Sequence, residues 1–344
     1  MNERGLHNLL YVQLAAILAV IIVLASGLRP SYVGSDTLVY VSVYERLALG
    51  LDAVHSFEFL YEGLSQLMAW AGFTVRGLFI AVSAISFLFI FSSFHNFNVY
   101  FKKAGLEPDL YLYGIIFLAI SIIFLSAQTN IIRHGVASFA LICFYSCLLS
   151  RKKVALSLIS AVVAIGFHNT SVLYLLLGVL VFIPRRAVVF ITMAAAASYI
   201  SGLSEFIVAW VSSVTGLDVH GRITEYGMYE QYRTGVRYDF ALFSLFIGAI
   251  FEIAAKTLFF AQDRFSAREC LKVYWLLLLP FFAFGYGAFS DRLLFAAWLF
   301  ASFFMALIVS HGCFLYRGAL RPLALWVAFI CAVIYALSIL QWLK

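Results

Sequence analysis

The chain alternates long apolar runs with short polar ones, and the length of the runs matches the thickness of a bilayer rather than the core of a soluble domain. Leu9 to Leu28 carries no charge and is about as long as a helix must be to cross the hydrocarbon at ~1.5 Å per residue. It is longer than a signal-peptide core, and no convincing A-x-A cleavage pattern follows, which predicts a retained first span. Comparable runs lie at Gly77 to Phe94, Leu110 to Ala127, Gly135 to Ser150, Val154 to Phe167, Ser171 to Ile183, Ala187 to Val211, Phe240 to Ala261, Val273 to Phe289, Leu293 to Val309 and Leu323 to Leu343. The pattern predicts an all-α polytopic membrane protein of about eleven spans, built as one integral membrane domain over residues 1–344. His168 separates two short runs that could equally be halves of broken helices.

One stretch resists that pattern. Phe57 to Trp70 is apolar but interrupted by Glu58, Glu62 and Gln66. Counted as a span, it would put Arg151, Lys152 and Lys153 on the opposite face from Arg4. Read as a re-entrant or interfacial helix, it leaves Arg4, Lys102, Lys103, Arg151 to Lys153, Arg185, Arg186, Lys272, Arg317 and Arg321 on one face, as the positive-inside rule requires. The second reading makes that face cytoplasmic and leaves two outer polar segments, about 29–76 and 214–239.

Composition agrees with the class. Of 344 residues, 64% are hydrophobic and 12% charged, more apolar surface than a water-soluble fold could bury. The net charge of +6 then reflects basic loops beside an anionic leaflet, not a nucleic-acid-binding surface. Five cysteines lie in or beside apolar stretches, with no CxxC pair and no histidine spacing suited to zinc; packing is their expected role, and no metal site or cofactor is expected.

Charge type separates the two faces. The outer one holds Arg29, Arg46, Arg76, Arg133, Arg222, Arg233, Arg237 and Arg292, and its only lysine is the terminal Lys344. A guanidinium grips two phosphate oxygens at once, whereas an ammonium acts as a point charge, so an arginine-only set suits a phosphate or diphosphate. Ion pairing with Asp36, Glu45, Glu225, Glu230 or Asp291 is the plainer alternative for the loop arginines. Arg133 and Arg292 differ because each sits where a loop meets an apolar run. Arginine is costly near hydrocarbon, so such a residue faces a polar cavity or a partner, or else snorkels to the interface.

Other outer residues offer proton-transfer or sugar-binding chemistry. His168, within AIGFHNTSVLY, can share a proton near neutral pH or cap a turn beside Asn169 and Thr170. Asp36, Tyr40 and Tyr44 recur at steps of four and would share one helix face, able to stack on sugars or to form an interfacial aromatic belt. Glu58 and Glu62 share that step and invite an acid and base pairing, although the hydrated side of an interfacial helix is the preferred reading. The stretch RITEYGMYEQYRTGVRYD mixes arginines, acids and tyrosines, as a lid over a glycan would require, or a solvated loop.

In order along the chain, SDTLVYVSVYERL, FEFLYEGLSQL, NIIRHGVASFALICF, the basic turn Arg151 to Lys153 and IGFHNTSVLYLLLGVL resemble the EpsG-type membrane proteins, relatives of the Wzy O-antigen polymerases. The resemblance covers most of residues 30–185 and continues loosely through RITEYGMYEQY and SDRLLF. His168 and Asp36 match family positions. Two positions depart: His134 follows Arg133 where the family commonly has Gln, and Phe59 follows Glu58 where Pro is often found.

The resemblance implies a GT-C-like membrane glycosyltransferase that joins oligosaccharide repeat units carried on undecaprenyl diphosphate, at the outer, periplasmic side of the inner membrane. Membrane lipid and a chain-length regulator would be its other partners. The growing chain would leave its lipid diphosphate as a hydroxyl of the incoming unit attacks. Arg133 and Arg292 are the expected diphosphate ligands, with Arg222, Arg233 and Arg237 as auxiliary clamps. Asp36 and His168 are candidates for taking the hydroxyl proton, and Glu58 and Tyr40 for binding substrate. A ligase using the same carrier would share these features. A flippase or transporter would instead line a path with charges and show internal symmetry, yet intramembrane charges are few, chiefly Glu205, Glu252 and Lys256. An integral acyltransferase would give the outer arginines no purpose.

Overall fold

A computed structural model describes the chain except residues 1–2, 52–56, 105–109, 152, 226–232, 260, 316–319 and 344, and except the side chains of 3–8, 225, 261–262, 311–315 and 320–321. Among the described residues every regular element is helical: α1 (Glu3–Leu28), α2 (Thr37–Ala48), α3 (Phe59–Trp70), α4 (Val75–Lys103), α5 (Leu110–Ala119), α6 (Ile122–Thr129), α7 (Ile132–Ser150), α8 (Val154–Phe167), α9 (Ser171–Leu176), α10 (Arg185–Ile200), α11 (Leu203–Thr215), α12 (Val219–Glu225), α13 (Tyr238–Thr257), α14 (Ala261–Phe284), α15 (Phe295–Leu315) and α16 (Leu320–Leu343). Tighter 3-10 turns fill Leu177–Phe182 and Ser290–Leu294.

Among the described residues, six helical segments are long and apolar enough to cross a membrane, and up to eight if each of two bent pairs counts as one span. Eleven apolar runs map onto this set for definite reasons. Leu110 to Ala127 divides into α5 and α6 at a 79° bend, where the Ser121 hydroxyl caps α6 by accepting from Phe124 N at 3.4 Å. Ala187 to Val211 divides into α10 and α11 at an 85° bend, where Gly202 takes φ +78, a conformation that costs glycine little. The run from Val273 is the second half of α14, whose first half carries Asp263, Arg264, Arg268, Glu269 and Lys272. Val154–Phe167 and Ser171–Phe182 are shorter apolar helices. At 12 residues α3 is too short to span, as expected for a re-entrant or interfacial element.

The chain forms two compact units, one from residues 1–172 and 302–344, the other from 173–301. In the first, α4, α7 and α8 pack side by side, with α1 against α4 and α16 against α1. Small polar residues bring α4 and α7 together: Ser83, Ser86, Ser93 and Asn96 on one helix, Ser138, Ser146 and Ser150 on the other, all buried. Apart from Ser138 Oγ, which has no partner among the described residues, their polar atoms find partners close by. Ser93 Oγ donates to Phe89 O at 2.7 Å, Ser83 Oγ to Gln128 Oε1 at 2.6 Å, and Asn96 Nδ2 to Ser146 Oγ at 3.1 Å. This is how helices associate where apolar side chains gain nothing from leaving lipid. Cys143 and Cys147 are free and buried in the same layer.

In the second unit α14 is the central helix, packed by α10, α11 and α13. Tyr274 donates to Ser244 O at 2.8 Å and Thr192 to Trp275 O at 3.2 Å. Glu252, expected as a charge within the membrane, is held near the end of α13 by Arg185 at 2.5 Å, Arg268 at 3.2 Å and the Trp275 indole N–H at 3.2 Å. Lys272 is likewise tied to Glu269 at 2.7 Å and to the carbonyls of Val181 and Ile183. These charges close one end of the unit instead of lining a path through it.

Candidate active site

Helix direction decides what can meet in the first unit. α7 begins where α8 ends, so Arg133 at the start of one and His168 just after the other share an end of the layer. The opposite end carries Lys102, Lys103, Arg151 and Lys153, with Lys103 Nζ donating to Ser150 O at 2.9 Å. The structure thus separates the candidate residues from the lysines along the helix axes, as the loop assignment requires. Two devices fix the first end. A Cβ on Gly135 would meet the Ala127 carbonyl, so glycine lets α6 approach α7 two residues beyond Arg133. Gly34, at φ +93, lies against Thr129 O in the same way, and the loop it opens is latched there. Thr37 Oγ1 donates to Thr129 O at 2.9 Å, and Asp36 N and Ser35 Oγ both donate to Asn130 Oδ1 at 2.9 Å.

Glu58 is the hinge of the site. It immediately precedes α3, its side chain is 9% exposed, and its two oxygens divide between two partners: Oε2 takes the Arg133 guanidinium, and Oε1 lies 3.0 Å from His168 Nδ1. Burial alone would push its carboxyl up, but the His168 hydrogen bond and the charges of Arg133 and His168 outweigh burial and hold it below the usual carboxylate range. It is therefore ionised at neutral pH. The hydrated-face reading of Glu58 is overturned: α3 packs on α8, and the residue at its N-cap turns inward, onto Arg133 and His168.

An aromatic box surrounds Arg133. Its guanidinium carbon is 4.4 Å from the Phe57 ring centroid, 5.8 Å from Tyr40 and 5.9 Å from Tyr61, an arrangement that favours a desolvated cation. Arg133 and His168 side chains remain 21% and 19% exposed, so the pair is reachable from one side. The His134 ring meets His168 edge-on at 4.4 Å between centroids. Tyr40 and Tyr44 are buried among these rings, with Tyr44 donating to Phe73 O at 2.8 Å; they are core residues, and the interfacial-belt reading does not hold. Asp36 sits at the start of α2, receives a hydrogen bond from Ser35 Oγ at 3.1 Å and lies beside the Asn130 latch.

The remaining expected residues belong to the second unit. Arg237 forms a two-pronged pair with Asp239, Nε to Oδ1 at 3.0 Å and Nη2 to Oδ2 at 2.7 Å, and lies 3.8 Å over the Phe240 ring. Its backbone N–H donates to Tyr199 Oη at 2.8 Å, and Tyr199 donates to Gly285 O at 2.9 Å. Arg292 lies in the 3-10 turn, 4.2 Å over Phe289. Glu205 is 3.7 Å from His220, whose ring stacks on Tyr286; it is a second charge that pairs locally. Arg222 and Arg233 are exposed. Residues 226–232 of the expected lid lie outside the described residues.

Among the described residues no group of three or more His, Cys, Asp and Glu could hold a metal ion. What the first unit offers is proton transfer and anion recognition. A carboxylate holds one nitrogen of a histidine beside an arginine surrounded by aromatic faces, a set able to move a proton and to meet an anion. The model of the EpsG family matches residues 12–344. No curated protein and no solved structure matches the chain.

Proposed function

Because the chain belongs to the EpsG family, we propose that it is a polysaccharide polymerase of GT-C-like architecture, joining oligosaccharide repeat units carried on undecaprenyl diphosphate. The active end of the helices would face the periplasmic side of the inner membrane. The observation that carries this reading is the Arg133, Glu58 and His168 cluster, placed at the end of the helix layer opposite the lysines.

Lipid-linked substrates arrive activated, so the protein must align two of them, take a proton and stabilise departing charge. Ionised Glu58 favours the tautomer in which His168 Nδ1 carries the proton and donates to Oε1, leaving Nε2 to accept the proton of the attacking sugar hydroxyl. That hydroxyl oxygen forms the new bond to the anomeric carbon of the growing chain as the bond from that carbon to the diphosphate oxygen breaks. The electron pair leaves with the lipid diphosphate, whose charge Arg133, held by the same carboxylate as the histidine, would stabilise. Asp36 would orient the acceptor, while Tyr40, expected to bind substrate, is buried and instead packs beside the Arg133 guanidinium. Arg292, with exposed Arg222 and Arg233, would give the second unit its anion-binding capacity, whereas Arg237, expected as a clamp, is already committed to Asp239. A chain-length regulator and the surrounding lipid are the expected partners.

Incubation of the purified protein with a lipid-linked repeat unit tests the reading. A ladder of products supports a polymerase. Transfer of a single unit to a different lipid would replace it with the ligase reading, and no transfer at all would remove both. For orientation, a cysteine at position 233 should react with an impermeant reagent in intact cells and one at 102 should not.

A further inference from the structure

Arg29 directly follows α1 and would pass in the sequence for one more loop arginine. In the fold it is 2% exposed. Its Nη1 donates to Ser26 O, and its guanidinium lies 4.1 Å over the Phe79 ring. Neither Nε nor Nη2 has a hydrogen-bond partner among the described residues. The Tyr61 hydroxyl, on a residue 1% exposed, is in the same condition, and so is Arg133 Nε. These groups belong to one cluster: the Arg133 guanidinium carbon is 5.9 Å from the Tyr61 ring, and Phe79, under Arg29, is buried in the same core cluster as Tyr61 and Tyr40. Burial lowers the Arg29 pKa to about 10, which leaves it a cation at neutral pH.

Buried donors without acceptors are costly, and buried cations without anions more so. The unmet groups are three guanidinium nitrogens, which can only donate, and a phenol. Glu58, the nearby carboxylate, is committed to Arg133 and His168. Water is a poor complement because each molecule brings two donors of its own into a place already short of acceptors. Anionic oxygens only accept, and two separate guanidinium groups match two phosphoryl groups. We propose that Arg29 is the second cation of the first unit's site and, with Arg133 and the Tyr61 hydroxyl, binds the diphosphate of the lipid-linked donor. This rests on the polymerase reading for the identity of the diphosphate, not for the existence of an anion site.

The test measures binding of inorganic pyrophosphate and inorganic phosphate to the full-length protein in detergent, alongside thermal unfolding and the polymerisation assay. Wild type should prefer pyrophosphate. Arg29→Gln should weaken pyrophosphate binding about tenfold or more, the scale of one lost charged hydrogen bond, while phosphate binding, left to Arg133, changes little. Tyr61→Phe keeps the ring and removes only the unmet hydroxyl, so it should fold as well as wild type or better and yet bind pyrophosphate several-fold more weakly; it serves if Arg29→Gln does not fold. Arg46→Gln, on the exposed side of α2, should change neither. A purely structural Arg29 and Tyr61 would alter unfolding temperature without altering the preference for pyrophosphate. That result, or no measurable pyrophosphate binding by wild type, overturns the proposal. Wild-type ladders with Arg29-independent binding would leave the polymerase standing and remove Arg29; Arg29-dependent binding without ladders would do the reverse.

Discussion

Two arginine and carboxylate pairs, one in each unit, illustrate how much burial changes what an ion pair can do. Arg237 and Asp239 have the better geometry, two parallel hydrogen bonds at 3.0 and 2.7 Å, but Asp239 is 52% exposed and water competes for both partners. Arg133 and Glu58 make a single contact, yet Glu58 is 9% exposed, also holds His168, and faces an arginine boxed by three aromatic rings. In the first case the pair fastens the start of α13 to the loop before it. In the second, a low-dielectric setting ties two positive or protonatable side chains to one carboxylate, so changing any member changes the state of the others.

The sharpest way to break this contrast is at His168. If its free nitrogen takes the acceptor proton, His168→Asn keeps a polar side chain beside Glu58 but cannot accept that proton, and turnover should fall by about 10² to 10⁴-fold at normal membrane abundance. Single-turnover measurement with a lipid-linked repeat unit distinguishes lost chemistry from lost binding. Near-normal polymer from the Asn variant would leave Asp36 as the proton acceptor.

Next in size is Arg133→Lys. An ammonium can still pair with Glu58 but cannot present a second prong to a diphosphate, so at least about 2 kcal/mol of transition-state stabilisation, roughly 30-fold in kcat/KM, should be lost. The same change at Arg237 should cost far less, because its guanidinium is already satisfied by Asp239. Equal losses at the two positions would erase the distinction between the units.

These predictions depend on a site only partly legible in the sequence. Arg133 and Arg292 stood out because charge beside long apolar runs is expensive, His168 because a proton-sharing ring sits between two short apolar runs, and α3 could be set apart from the spans because its carboxylates break the run. The helical class followed from the same apolar lengths. The meaning of Glu58 did not follow. A step of four to Glu62 implied one shared helix face, but Glu58 precedes the helix and α3 packs on α8, so it turns inward. Periodicity cannot reveal that, whereas the need of Arg133 for a counter-ion could have. Arg29 was hidden for the converse reason, since nothing in its local sequence separates a buried arginine from a loop one. The bends at Ser121 and Gly202 were invisible to hydropathy because both halves of each pair are apolar.

Acid titration gives a smaller and more diagnostic effect. The folded protein holds the Glu58 carboxyl below its ordinary value of 4.5, so its stabilising contribution is fully present above that pH and is lost as pH falls through the depressed value. Wild type should therefore lose thermal stability on acidification below about pH 4.5 more steeply than Glu58→Gln, which has no carboxylate there to protonate. Parallel stability curves for the two proteins would mean that the Arg133 and His168 contacts do not favour the ionised form.

The smallest effect expected is at Asp239. Replacing it with Asn removes the charge opposite Arg237 while keeping the size of the side chain and one acceptor oxygen. Arg237 retains its place over Phe240 at 3.8 Å, and its backbone N–H retains Tyr199, neither of which needs the carboxylate. Water and salt already screen so exposed a pair, and the change in unfolding free energy should stay within about 1 kcal/mol, diminishing further as ionic strength rises. Thermal unfolding of Asp239→Asn at low and high salt measures this directly. A loss well above that size, or one insensitive to salt, would show that the pair is shielded like the Arg133 and Glu58 pair, and the contrast between the two units would then have to rest on His168 alone.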